Sequence, residues 1–175
     1  MMRFIFVLLS VTWLFVGESH VRPNSSWGAE SAEQRLAQAR EHLQKGRYGE
    51  ALDVLDSLAK GEAKDVDAVE LAKARCEALL AQGERDSAEK ILNDAIADHE
   101  DAAALHGLLA KIHFERGRYD DADDAVAKAL KLDSNQLQAR LIQSHLWTER
   151  GEIAKADTGY RWFVRYYNSQ QPKEA

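Results

Sequence analysis

Three histidines, His99, His106 and His113, recur at intervals of seven, and that spacing raises metal binding first. Two histidines on a helix grip one ion when they lie four apart. Seven apart they share a face but stand about 10 Å apart along the axis, too far for a single ion. The chain has no pair at the shorter spacing, and His99 falls in the loop before the helix that carries the other two. The run Asp120-Asp121-Ala122-Asp123-Asp124 raises calcium instead. It lacks the glycine-turned loop and closing glutamate of an EF-hand. At the start of a helix such carboxylates complement the positive end of its dipole. Cys76 is the single cysteine, so no internal disulfide forms. Its place at a small-residue packing position makes it a buried apolar side chain rather than a nucleophile. No phosphate-cradling glycine loop, nucleophile elbow or zinc-protease helix occurs. The chain is therefore read as no enzyme, with no cofactor or metal site.

The elements that carry these side chains are set by a repeat. Gly46, Gly83, Gly117 and Gly151 follow one another at 37, 34 and 34 residues. Seven residues before each stands a small residue: Ala39, Cys76, Ala110 or Ser144. Five after each stands an alanine: Ala51, Ala88, Ala122 or Ala156. Small residues facing each other let two helices approach closely, and the glycine between them supplies a turn that a side chain would strain. Nine residues after the glycines come Leu55, Leu92, Val126 and Tyr160, and twelve after come Leu58, Ala95, Ala129 and Phe163. These fill the space towards the next hairpin. A period near 34 is that of a helical-hairpin array, whose units complete their core only by stacking.

These residues resemble the tetratricopeptide repeat family, a 34-residue helix–turn–helix unit. The third copy carries the pattern most fully, with Leu109, Ala110, Gly117, Tyr119, Ala122, Ala129 and Leu130; the first has Ala39, Gly46, Tyr48, Ala51 and Leu52. Arg85 and Ile153 replace the usual tyrosine in the second and fourth. The family's large aromatic near the start of the first helix is absent, with Arg35, Ala72, His106 and Arg140 in its place. No proline closes a repeat. The three additional residues between the first two glycines lengthen the loop around residues 60–67. The expected fold is all-α: a right-handed superhelical solenoid of about four such repeats over residues 31–168. Composition agrees, since both prolines, Pro23 and Pro172, lie outside the repeats.

The resemblance also implies where a partner sits. In such arrays the first helices line a concave groove, entered by residues ten, six and three before each turn glycine. Here these are Leu36, Arg40 and Leu43; Lys73, Glu77 and Leu80; Gly107, Lys111 and Phe114; Leu141, His145 and Thr148. Arg40, Lys73, Lys111 and His145 among apolar contacts suit an extended or helical polypeptide segment carrying acidic residues. Some chaperone-binding members hold a terminal carboxylate with a lysine–asparagine set. Leu36 and Arg40 stand where that set would open, which disfavours the function. Nucleic acid is disfavoured as well: 29 acidic against 23 basic residues give a net charge of −6, with no basic stripe.

Both ends add expectations. Residues 1–19 read as a signal peptide, with a basic start at Arg3, an apolar stretch over 4–16, and small residues Gly17 and Ser19 before the cut. The protein is then exported, periplasmic or secreted; retained uncut, the segment would anchor it to a membrane. Residues 20–30 form a linker and 169–175 a tail. On the last helix, Tyr160, Phe163, Val164 and Tyr167 form the face expected to pack on preceding helices, leaving Trp162 and Tyr166 as an outward strip. Two bulky aromatics in water mark an interface, for self-association or for a partner. The sequence thus describes an exported scaffold that binds polypeptides and assists envelope assembly or secretion. The competing expectation is an N-terminal adaptor of a larger exported hydrolase.

Overall fold

Eight helices account for nearly all of residues 30–61 and 66–170, the part of the chain described by the computed structural model. They are α1 (Ala32–Gln44), α2 (Tyr48–Lys60), α3 (Ala68–Gln82), α4 (Arg85–Asp98), α5 (Ala103–Glu115), α6 (Tyr119–Leu132), α7 (Leu137–Glu149) and α8 (Ile153–Gln170). No strand occurs among the described residues. The signal segment, nearly all of the linker and residues 171–175 lie outside them. None of the described helices is long and apolar enough to cross a membrane.

Each of the four spaced glycines adopts the left-handed backbone, with φ between 71° and 84°. That conformation reverses the chain and satisfies carbonyls left open at the preceding helix end. The amide after each glycine donates to the carbonyl five residues back: Arg47 to His42, Glu84 to Leu79, Arg118 to His113, and Glu152 to Trp147, at 2.8–2.9 Å. Helix starts use side chains where the sequence offers them. Ser31 and Gln34 form a reciprocal capping box on α1, Asp67 caps α3, and Gln136 caps α7.

The paired small residues meet as the spacing requires, since Ala39, Cys76, Ala110 and Ser144 are buried opposite Ala51, Ala88, Ala122 and Ala156. Around them the core runs as linked clusters. One joins Leu36, Ala39, Leu55, Leu58 and Ala74 of α1–α3, and another joins α3, α4 and α5 through Cys76, Leu79, Leu92, Leu105 and Ile112. A third joins α5, α6 and α7 through Ala110, Ala122, Val126, Ile142 and Leu146. Each cluster crosses a hairpin boundary, so no hairpin owns a complete core. The α2–α3 connection is three residues longer than the other two inter-hairpin connections.

The faces of α8 depart from expectation in part: Phe163 is half-buried and Tyr160 meets α7, as expected, but the other four residues are not where they were placed. Val164 and Tyr167 are 60% and 66% exposed, whereas Trp162 and Tyr166 are half-buried. These two rings stack with centroids 4.9 Å apart, and the Arg140 guanidinium lies 4.1 Å above Trp162. The physical reason is the register of the hairpin. Ala156 and Gly159 turn towards α7, where a Cβ on Gly159 would strike Ser144 and Trp147. Phe163 and Tyr166 follow them around the helix. Tyr160 occupies the position of Leu55, Leu92 and Val126, which in earlier hairpins are buried beneath the next first helix. Among the described residues no such helix follows α8.

Candidate protein-binding groove

The first helices α1, α3, α5 and α7 place their mid-helix side chains in a row, and two sectors of that row are organised. Between α1 and α3 a pocket of about 480 Å³ is lined by Arg40, Leu43, Gln44, Glu70, Lys73, Ala74 and Glu77. Four expected groove residues (Arg40, Leu43, Lys73 and Glu77) are thus together. Glu70, which the repeat register did not point to, holds the cations in place. Its two oxygens take Arg40 at 2.5 Å and Lys73 at 2.6 Å. The sector is therefore charge-balanced rather than simply basic. Lys111 has its own carboxylate, Glu115 at 3.9 Å, which Arg85 also approaches at 3.6 Å.

The second sector is aromatic. Phe114 of α5 lies 5.4 Å from the His145 ring of α7, and His145 lies 5.9 Å from Tyr160 of α8. Tyr119 extends the row, 5.5 Å from Phe114. Thr148 fixes Tyr160, their oxygens 3.2 Å apart. Tilted rings at these separations attract one another. Tyr119 was legible as the family's tyrosine after the turn, but its role in this row was not.

Several expected groove positions take other roles. Leu36 is 8% exposed and belongs to the core of the first two hairpins, so it cannot contact a ligand. An apolar side chain on α1 is drawn inward because α2 and α3 supply the surface that buries it. Leu80 packs against the central cluster. Gly107 is covered by Gln136, and Leu141 is half-buried on α7.

The histidines are separately engaged. His106 is buried with Nε2 3.0 Å from the Glu100 carbonyl, and His113 faces Glu89, its Nδ1 3.9 Å from the carboxylate. Among the described residues no three His, Cys, Asp or Glu side chains are grouped to hold a metal ion. Burial, with Glu77 nearby, pushes the Cys76 thiol up to about 12, which keeps it protonated and unreactive.

Ion pairs tie the hairpins along their turns. Arg150 reaches Asp123 at 2.5 Å and Asp120 at 3.9 Å, so the acidic run serves the next turn as well as its own helix dipole. One turn earlier, Glu89 accepts from Arg118 at 2.7 Å and Arg116 at 3.2 Å. Burial would raise the Glu89 carboxyl, but the Arg118 hydrogen bond and the nearby cations outweigh it and hold it below its ordinary 4.5. Burial, then the Arg118 charge, holds His113 below its ordinary 6.5. Both shifts act in one direction. Below pH 6.5 the unfolded chain takes up a proton that the folded His113 refuses. Below pH 4.5 it takes up another that folded Glu89 refuses. Stability present at neutral pH is therefore lost on acidification. A series of thermal melts should show His113→Gln flattening the upper part of that decline. Glu89→Gln should flatten the lower part while lowering the neutral melting temperature. Parallel curves for wild type and both variants would exclude this cluster as the source.

These features are those of a helical-repeat scaffold for protein–protein interaction. The chain belongs to the tetratricopeptide repeat family, whose model matches residues 42–112 and 79–146, together more than half of the chain. The right-handed superhelical solenoid expected from the sequence is its fold. Solved structures agree in architecture. MamA from Desulfovibrio magneticus RS-1 (residues 41 to its end) is 16% identical, with a TM-score of 0.62 over 82% of this chain and 79% of that one. The first tetratricopeptide domain of human RPAP3 is 18% identical, with a TM-score of 0.58 over 74% and 97%. A tetratricopeptide repeat protein from Parabacteroides merdae is 14% identical, with a TM-score of 0.63 over 82% and 55%. No curated protein sequence gives a significant match.

Proposed function

We propose that this protein is an exported, non-catalytic scaffold that holds a polypeptide segment along the α1–α3–α5–α7 face and assists envelope assembly or secretion. The observation that carries the binding reading is the Arg40–Glu70–Lys73–Glu77 pocket in line with the Phe114–His145–Tyr160 row. The apolar stretch over residues 4–16, behind Arg3, supports export. A fitting segment carries acidic and basic side chains at one end and an apolar or aromatic one at the other. An acidic side chain would compete with Glu70 for Arg40 and Lys73, and charge exchange of this kind selects partners more than it tightens them.

The test is capture of partners from the native exported fraction with the tagged chain, beside the variant Arg40→Glu, Lys73→Glu, Lys111→Glu. Circular dichroism checks that helicity is retained. A polypeptide captured by the wild type should bind the variant at least about tenfold more weakly, because reversed charges leave its acidic groups facing like charge. Phe114→Ala should weaken the same partner independently. A partner set unchanged by both variants overturns the groove as the binding site.

A further inference from the structure

The outer face of α8 carries Ile153, Tyr160, Val164 and Tyr167, exposed by 64%, 37%, 60% and 66%. At 100° per residue these four lie on one stripe of a helix about 27 Å long. Tyr160 and Val164 stand nine and thirteen residues after their turn glycine. The corresponding residues of the preceding hairpin are Val126, 2% exposed, and Leu130, which packs against the same cluster beneath α7. The middle of the α8 stripe, Tyr160 and Val164, thus matches a surface that a further helix covers, while Ile153 and Tyr167 extend it at positions whose counterparts, Tyr119 and Asp133, are exposed.

The other end of the array does not supply that helix. On α7 the side chains turned to α6 include Ile142 and Leu146, with Ala139 also buried. Their counterparts on α1, counted from the turn glycines, are Ala37, Glu41 and Gln34, all exposed. Gln38 and Lys45, on the same side of α1, are exposed as well. A head-to-tail stack would press the exposed polar side chains Gln34 and Glu41, which serve Ser31 and Lys45, onto an apolar stripe, and desolvating them there is unfavourable. Ala37 offers one methyl group where α7 offers Ile142, too little to fill the contact. The N-terminal end is capped by its own chemistry. A matching stripe exists on α8 itself.

We infer that two copies of this protein associate through α8, antiparallel about a two-fold axis. The polar flank of the stripe carries Asp157, Arg161 and Arg165 in that order, with Asp157 and Arg161 already paired at 2.8 Å. Antiparallel pairing brings that flank against the same flank of the second copy in reverse order. Asp157 of each helix then lies beside Arg165 of the other, a contact made twice, while the two Arg161 side chains meet near the axis, each held by its own Asp157. Val164 packs near Tyr160, and Tyr167 near Ile153, across the axis. Four apolar side chains per copy place this at the small end of protein interfaces, so the dimer is weak and concentration-dependent. It is separable from the groove reading, since Tyr160 alone is shared and the variants below leave it in place.

Sedimentation equilibrium of the purified full-length chain tests it. The wild type should fit a monomer–dimer equilibrium. Val164→Glu with Tyr167→Glu should be monomeric with unchanged helicity. Asp157→Arg alone gives each flank three arginines and should weaken the dimer about tenfold or more. Asp157→Arg combined with Arg165→Asp restores an antiparallel-complementary order and should recover most of the loss. A wild type that stays monomeric at its highest soluble concentration overturns the inference, as does assembly beyond two. So does a dimer indifferent to the Glu variants, or a double charge variant no better than the single one.

Discussion

Replacing Leu92 by alanine is expected to lower the free energy of unfolding by about 2–5 kcal/mol, the range for truncating a buried leucine. Leu92 has no exposed surface and belongs to a core cluster drawn from three helices, α3, α4 and α5. Two members of that cluster, Ala72 and Ala88, are themselves alanines that cannot swell to fill the space. Collapse around the site is therefore limited, and the loss belongs in the upper half of the range. The position matters as much as the volume. The Leu92 cluster joins the second hairpin to the third, and an array held by nearest-neighbour interfaces is weakest where an interface is cut. Urea unfolding should show a lower midpoint together with a shallower slope, as the two halves begin to unfold separately. Leu137→Ala, at a 45% exposed leucine that opens α7, is the control and should change stability by no more than about 0.5 kcal/mol. A Leu92→Ala loss below about 1 kcal/mol would mean that the hairpins are coupled elsewhere.

The repeat was legible because it rests on residues whose types are dictated locally. A left-handed turn selects glycine, and close helix pairs select Ala39 with Ala51 or Ala110 with Ala122, whatever the partner hairpin does. Spacing alone therefore located the turns at Gly46, Gly83, Gly117 and Gly151, which all have positive φ. The groove register put Arg40, Lys73 and Glu77 on one pocket for the same reason. What was not legible depends on how hairpins sit against each other. Glu70 meets Arg40 across thirty residues of sequence, and no local rule pairs them. Leu36 looked like a groove residue because its helical position repeats, but α2 and α3 enclose it. Val164 and Tyr167 were misplaced on α8 because its packing side was read from the stripe of large residues, whereas the small Gly159 sets the side that meets α7. Position in a repeat predicts orientation, while burial needs the neighbour.

Gly107→Leu is the second large effect, and it tests the spacing between α5 and α7. A Cβ at Gly107 would lie 2.7–2.8 Å from the end of the Gln136 side chain. Gln136 in turn accepts from the Ala139 amide at 2.5 Å and caps α7. The absent side chain lets α7 approach α5 more extensively than α3 approaches either α1 or α5. A leucine there overpacks the contact, at a cost of about 1–3 kcal/mol. It also displaces the cap, costing about 1 kcal/mol more. Removing a glycine from a helix interior returns about 1 kcal/mol, so the net loss is about 1–3 kcal/mol. Gly107→Ala should be close to neutral, because the far end of a flexible glutamine yields to one methyl group. The decisive measurement is the cycle with Gln136→Ala. With the glutamine truncated, Gly107→Leu should cost at least about 1 kcal/mol less than in the wild type, the size of coupling expected between residues in contact. An equal cost in both backgrounds would place the clash elsewhere on α7. The consequence reaches the groove, because the α5–α7 spacing also sets the 5.4 Å approach of Phe114 to His145. Gly107→Leu should therefore weaken a partner held by the aromatic row while leaving the Arg40–Glu70–Lys73 pocket intact, two sectors separable by one substitution that touches neither.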